Sequence, residues 1–402
     1  HAQGLYGQRT RTQPSLLVMY NIQSFHGLNT VSDPLRLGHA WLRTANNVHV
    51  TDTGALVKRD GYQLVSAGAY SSAFSTFDYE CSYFVLGNQL VDFNGVVLAT
   101  LTSTAPMYWA EINNRTYYNN GTDSGIIARD NTVLPWSWET PAAPTLTPIT
   151  GSLAPGLWQV LCTYVLADGR ETGAGEPSEI TLTDGQALGI SNIPHIAGAL
   201  TKVYIAPANS TVYQLAVTTT GSAYNWVFSN DALGEDLRMT SMDSLPQGTG
   251  PVCFWRGRAY AAQYDPVSDQ SVVWYSQPLG YHLFSFDSDF FMVPGNVVML
   301  TAVDEALIVG TTQRIYAYSG DKLDQLAPYG TVPGQHADRN DGSVYFWTTR
   351  GVCSALPFTN LTEAQVSVSP GVRAGGAIVR HGGQKRYVVS LQQGGAAFNT
   401  YP

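Results

Sequence analysis

The stretch that decides the fold is Val252-Cys253-Phe254-Trp255-Arg256-Gly257-Arg258-Ala259-Tyr260-Ala261-Ala262-Gln263-Tyr264, followed by Ser271-Val272-Val273-Trp274-Tyr275-Ser276. Aromatic and β-branched residues fill short runs on either side of Arg256-Gly257, and a third run follows the next break. The segment therefore predicts three antiparallel strands joined by tight turns. The unit recurs three times, turning at Asp304-Glu305 and Thr312-Gln313, at Asp341-Gly342 and Arg350-Gly351, and at Gly382-Gly383 and Gly394-Gly395. Its leading turns stand 48, 37 and 41 residues apart, close to the roughly 40–50 residues of a propeller blade. A sheet of three or four strands cannot bury both faces alone, whereas such sheets packed around an axis cover one another and leave only short edges.

The same grammar begins near residue 46. Asp52-Thr53-Gly54 and Asp60-Gly61 flank residues 55–59, Gly87-Asn88 and Asn94-Gly95 flank 89–93, and Asn113-Asn114 and Asn120-Gly121 flank 115–119; each predicts a three-stranded unit. The middle third breaks the period. Pro141, Pro144, Pro148 and Pro155 lead into it, and Pro246, Gly248 and Gly250 lead out, as linkers do. Between them Trp158, Val160, Cys162, Tyr164 and Leu166 alternate along one strand, with further strands expected at 180–183, 202–206, 212–217 and 224–228. Roughly 100 residues holding about seven short strands fit an immunoglobulin- or fibronectin-like sandwich.

The expected fold is all-β: a β-propeller-like domain of about six or seven blades carrying an inserted immunoglobulin/fibronectin-like β-sandwich. Its parts are an extended N-terminal arm at 1–45, a first part of the propeller at 46–140, the sandwich at 141–246 and a second part of the propeller at 247–402. The turn signals alone also suit a string of small β domains. The apolar run Leu16-Leu17-Val18-Met19-Tyr20 is expected to supply a strand to the blade at the other terminus.

With 44% apolar and 13% charged residues, the chain has the material for cores and not the composition of a disordered polymer. Its net charge of −9 is uneven: residues 1–65 hold six basic and three acidic side chains, residues 141–246 three basic and nine acidic. Only Arg9 and Arg11 approach a basic cluster, which argues against sequence-specific nucleic-acid binding. Cys81, Cys162, Cys253 and Cys353 lie far apart without metal-ligand spacing and read as buried apolar thiols. No apolar stretch nears the ~18 residues of a membrane span and no export signal is visible, so neither membrane insertion nor export is expected.

Nucleophile-elbow, phosphate-loop and zincin patterns do not occur. Asp287 with Asp289 and Asp338 with Asp341 are candidate carboxylate pairs for glycoside cleavage, though solvated loop groups explain them more simply; His195 and His282 read as surface or hydrogen-bonded residues. Trp136 and Trp138, two apart, would share one side of a strand, either as a sugar-stacking platform or as packing at a domain junction, which the prolines beside them favour. No catalytic residue, cofactor or metal ligand is assigned. Arg9, Arg11, Trp41, Arg43, Trp136 and Trp138 are the candidate interface residues. Seventeen arginines against four lysines suit a surface buried between subunits, where Arg is enriched and Lys depleted; the base composition of the gene would explain the ratio equally well.

Two stretches resemble tailed-bacteriophage virion proteins. Gly27-Leu28-Asn29-Thr30 and Asp33-Pro34, then Ala45-Asn46-Asn47-Val48 and Thr51-Asp52-Thr53-Gly54-Ala55-Leu56-Val57-Lys58-Arg59-Asp60-Gly61-Tyr62, resemble the leader and first hairpin of those proteins. Tyr164-Val165-Leu166-Ala167-Asp168-Gly169-Arg170-Glu171-Thr172-Gly173 and Glu176-Pro177-Ser178 are similar to their fibronectin-like insert, and Trp255-Arg256-Gly257-Arg258-Ala259-Tyr260 and Tyr275-Ser276 to their later blade strands. The resemblance implies a tail component, made in the host cytoplasm and located in the virion, that assembles with itself as a ring, often sixfold. Such a nozzle or hub meets neighbouring tail proteins, passing DNA and the host surface. It brings no catalytic residues. A receptor-binding or glycan-degrading tail protein is the alternative, and a bacterial surface lectin a third reading.

Overall fold

Hairpin turns fall where paired residues take positive φ, as tight turns between twisted strands require: Asn113 and Asn114 at 49° and 60°, Arg256 and Gly257 at 46° and 75°. The computed structural model describes residues 22–59, 61, 63–238, 241–340, 342–381 and 384–394. Apart from one 3-10 turn at Asn230–Ala232, its regular structure among these residues is β.

Five antiparallel sheets follow one another along the chain. Sheet 1 is Tyr70–Ser75, Ser82–Leu86, Gln89–Asp92 and Val97–Thr100, and sheet 2 is Tyr108–Ile112, Arg115–Asn119, Ser124–Ile127 and Val133–Leu134. Sheet 3 is Thr249–Trp255, Arg258–Asp265 and Gln270–Gln277, the last pairing with both Gly280–Phe284 and Phe290–Pro294. Sheet 4 is Val297–Ala302, Leu307–Thr311, Ile315–Tyr318 and Leu323–Ala327, and sheet 5 is Asp338–Asn340, Ser343–Thr348, Gly351–Ala355 and Thr359–Asn360. A sixth, two-stranded sheet joins Arg373–His381 to Gln384–Gln392.

Each sheet is covered on both sides because alternate residues of a strand face opposite neighbours. Leu307 and Val309 pack toward sheet 3 with Trp255, Tyr260 and Val273, while Ile308 between them packs toward sheet 5 with Val344 and Phe346. Tyr83, Val85 and Leu90 meet Trp109 and Tyr118 across sheets 1 and 2, and Ile112 and Tyr117 meet Ala261 and Phe284 across sheets 2 and 3. Trp347 meets Ala374 and Leu391 across sheets 5 and 6. The Arg380 guanidinium over the Tyr79 ring, 5.9 Å from its centroid, brings sheet 6 to sheet 1. This is a β-propeller-like arrangement with six sheets among the described residues.

All six residues of Val297–Ala302 are buried, and residues 331–337 tie several sheets together. Ala374 N–H donates to Pro333 O and Gly376 N–H to Gln335 O, both at 3.0 Å. Trp109 N–H donates to Gln335 Oε1 (3.3 Å), Thr331 N–H to Thr311 O (2.8 Å) and Trp347 N–H to His336 Nδ1 (3.1 Å).

The inserted domain is a sandwich. Thr145–Thr150, Gln186–Ser191 and Ala223–Trp226 form one sheet, and Ser178–Leu182, Gly156–Leu166, Ala199–Ala206 and Gln214–Thr219 the other. Trp158, Val160, Cys162, Ile190, Val203, Ile205 and Trp226 fill the space between them.

Several expectations change. The hairpin Val48–Val50/Leu56–Lys58 has two strands, not three. It groups not with the propeller but with a separate compact unit of residues up to Ser66 together with Thr362–Ser367, so the boundary drawn at residue 46 moves to residue 67. The described part of the arm is not extended: Gly27–Leu28 pairs in parallel with Trp41–Leu42, and Thr30 N–H donates to Gln365 O at 2.8 Å. A chain that finds partners for its own backbone this close at hand does not stay open. Cys162 and Cys353 are buried thiols, but Cys81 and Cys253 are only half-buried. The run Leu16–Tyr20 and the turn residues Asp60, Asp341, Gly382-Gly383 and Gly395 lie outside the described residues.

Candidate functional site

The junction between sheets 2 and 3 and the sandwich gathers the most polar chemistry of the insert. After Val133–Leu134 the chain leaves strand conformation at Pro135, so Trp136 and Trp138 do not share one face of a strand. Trp136 is 1% exposed, packs edge-on against Tyr117 and donates its Nε1–H to Tyr281 O at 2.7 Å. Trp138 is half-buried, with the Arg170 guanidinium 5.4 Å from its ring centroid. Trp136 therefore fills the chain's own core, which removes it as an intersubunit residue and takes away the paired-indole platform.

Arg170 reaches this point from the sandwich turn Asp168-Gly169-Arg170. Its Nη1 and Nη2 donate to Trp136 O (2.6 Å) and Pro135 O (2.9 Å), and its Nε to Asp168 Oδ2 (2.7 Å). Arg115 of sheet 2 pairs with the same carboxylate at 3.6 Å. Burial pushes Asp168 up, but the hydrogen bond and charge of Arg170 outweigh it and hold the carboxyl below its ordinary value. His282 of sheet 3 donates from Nε2 to Glu171 O at 2.9 Å, and burial holds its pKa down. Glu171 in turn accepts from Lys202 (2.9 Å), Tyr204 (2.8 Å) and Thr163 (2.7 Å).

The segment after Glu171 threads between both linkers of the insert. A Cβ on Gly173 would stand 1.6 Å from Met242 O, and one on Gly175 would stand 2.0 Å from Pro141 O. Only glycine lets backbone approach backbone this closely. The arrangement locks a domain in place.

Trp41 lies half-buried with His26 edge-on at 5.5 Å, and exposed Arg43 donates to Asn29 O (3.3 Å) and Ser32 O (2.7 Å). Arg9 and Arg11 lie outside the described residues. Of the candidate carboxylates, Asp287 is exposed, while Asp289 accepts from Gln277 Nε2 and stands 3.9 Å from Arg258. Asp338 accepts Ile378 N–H and Arg339 N–H, each at 2.8 Å, and Asp341 lies outside the described residues. His195 meets Thr201 Oγ1 at 3.2 Å. Among the described residues no group of His, Cys, Asp and Glu is placed to hold a metal ion, and no helix is long and apolar enough to cross a membrane.

Sequence reasoning did not single out Arg129. Between sheets 1 and 2 it meets Asp78 (2.5 Å), Glu111 (3.3 Å) and the Cys81 thiol (3.8 Å), and its hydrogen bond holds the Asp78 carboxyl far below the usual range. The lone arginine between acidic turns was the available signal, but its partners come from separate turns and strands.

No family model matches this sequence, and no curated protein matches it. Among solved structures the chain is similar to the extracellular domain of a one component system from B. thetaiotaomicron, at 11% identity and a TM-score of 0.29, over 77% of this chain and 36% of that one. It is also similar to apo AztD from Citrobacter koseri (10%, 0.28, 80% and 90%) and to PorZ of Porphyromonas gingivalis (13%, 0.22, 87% and 56%). The chain thus spans about a third of the first of these. TM-scores this low leave the fold to be read from the chain's own sheets.

Proposed function

We propose that this protein is a structural component of a bacteriophage tail, assembling with itself as a ring that forms or closes the conduit for DNA ejection. The observation that carries the reading is the unit built from the leader. Asn29 Oδ1 accepts Val31 N–H and Ser32 N–H at 3.2 and 2.9 Å, Arg43 clamps the same turn, and the Val48–Val50/Leu56–Lys58 hairpin follows. That hairpin exposes Leu56 and Val57 by 40% and 48%, and Leu64 and Val65 beyond it by 64% and 83%. A two-stranded hairpin is marginal in water by itself, and neighbouring exposed apolar residues mark a surface that another chain covers.

In the ring, each copy offers this surface to its neighbours. The excess of acidic groups limits adhesion of passing DNA by like-charge repulsion. Neighbouring tail proteins and the host surface are its further partners, and the virion its location. Electron microscopy and native mass measurement of the purified chain test this: closed rings are expected, with sixfold the count that the sequence resemblance implies. A monomer at micromolar concentration would sink the proposal. A glycan array with a hydrolysis assay separates the alternative, since specific binding or turnover would make it a receptor-binding or glycan-degrading tail protein.

A further inference from the structure

The sandwich meets sheets 2 and 3 through polar contacts, and one of them depends on a side chain of the type that changes charge near neutral pH. His282, in the strand Gly280–Phe284, is half-buried and donates Nε2–H to Glu171 O at 2.9 Å. That carbonyl belongs to the turn at 168–171, whose Arg170 side chain is only 13% exposed and holds Pro135 O and Trp136 O. From the sandwich, Asp168 and Arg170 act on the His282 ring. From sheet 2, Arg115 pairs with Asp168 at 3.6 Å, and Tyr117 lies in the field of Arg170, Arg115 and Asp168. On the histidine's own strand, Tyr281 accepts Asn113 Nδ2–H at 3.2 Å, while the Glu171 carboxylate is taken up by Lys202, Tyr204 and Thr163.

This setting favours a neutral ring. Its Nε2 proton is already used, so a further proton has to go to Nδ1, which puts a second cation beside Arg170 where little water reaches. Burial and then the Arg170 charge oppose that step and outweigh the pulls of Glu171 O and Asp168. We propose that the junction is a proton-operated latch: when His282 takes up a proton, the turn at 168–171 backs away from sheet 3 and from the carbonyls of Pro135 and Trp136. The imidazolium recovers its hydration only in the open form, so proton uptake and opening drive one another. The turn residues belong to neither the core of the sandwich nor that between sheets 2 and 3, which both stay intact as the latch opens. The latch lies within one chain and stands apart from ring assembly.

Two other groups at the junction do not imitate it. Asp168 is held below its ordinary 3.8, so it loses its charge only in stronger acid. Asp243, in the linker that leaves the sandwich, exchanges backbone hydrogen bonds with Phe284 at 2.7 and 3.0 Å, and burial and the charges of Asp287 and Glu176 raise its pKa. It takes a proton more readily in the closed form and therefore tightens the junction as pH falls.

Trypsin cleavage of the full chain after Arg170 reads the open form, because the protease has to draw that side chain out of its contacts. Rates at pH 7.5 and 5.5 are divided by the rate for a free peptide of residues 164–176 at the same pH. Cleavage after Lys202, in the strand Ala199–Ala206, reports unfolding of the sandwich itself. A ring that titrates at 6.5 when open and lower when closed favours opening about two- to tenfold more at the lower pH. The normalised cut after Arg170 is expected to rise by that factor while the cut after Lys202 stays steady. His282→Gln keeps an amide donor for Glu171 O but takes up no proton, and it should abolish the rise. No rise in the unsubstituted chain, an equal rise after Lys202, or a rise that survives His282→Gln overturns the latch. Should the variant not fold, the response of the unsubstituted chain at the two sites decides by itself.

Discussion

His336 shows how one buried residue sets a pH limit. It is fully buried, with Nε2–H donating to Val332 O at 2.7 Å and Nδ1 accepting Trp347 N–H at 3.1 Å, which fixes a neutral ring. Burial pulls its pKa from 6.5 to about 4 against the smaller upward pull of Val332 O. The unfolded chain takes up this proton near pH 6.5 and the folded chain only near pH 4. The stability is therefore present in full above pH 6.5 and lost as pH falls toward 4, by about 3 kcal/mol at most. His282, also held down by burial, acts with the same sign, and Asp338, raised by burial, with the opposite one. Urea unfolding at pH 7 and pH 4.5 should show the loss, and His336→Gln should be less stable at pH 7 yet flatter with pH. Equal slopes for the two proteins would remove His336 as the cause. No sequence pattern singles out this residue, because a histidine between Gln335 and Ala337 is surface-like until several sheets pack against it.

At the scale of elements, two kinds of contact hold neighbours together. Within the propeller the contact is mostly apolar, as where Ile308 and Val309 of one strand serve different sheets. Polar staples join the turns: Arg256 stacks on Trp255 at 4.4 Å and donates to Ser319 O (3.1 Å) and Glu305 O (3.3 Å), tying the tips of sheets 3 and 4. At the sandwich the contact is chiefly polar and centres on Arg170. Arg170→Ala leaves the carbonyls of Pro135 and Trp136 without that donor, a loss worth about 1–3 kcal/mol. Hydrogen exchange should then quicken in the linker around residues 136–141 while the sandwich strands keep their protection; unchanged exchange in the linker would show that the turn is not what holds the domain. Trp136 and Trp138 were legible as junction residues from their prolines. Arg170 was visible only as part of an Asp-Gly-Arg turn, since its carbonyl partners lie 34 and 35 residues away.

For the whole molecule, residues 331–337 are what tie sheets 2, 4, 5 and 6 together, through Trp109, Thr311, Trp347 and the Ala374–Gly376 stretch. By itself the sequence determined what depends on neighbours along the chain: strand and turn positions, the spacing of successive small sheets, and the proline-bounded insert, because alternation and turn chemistry are local. Only the tertiary structure decided that the residue 48–58 hairpin leaves the propeller for a unit that includes Thr362–Ser367. The same holds for the enclosure of Trp136. Those outcomes depend on which distant surfaces compete for the same apolar face, and that competition is settled by packing between residues hundreds of positions apart.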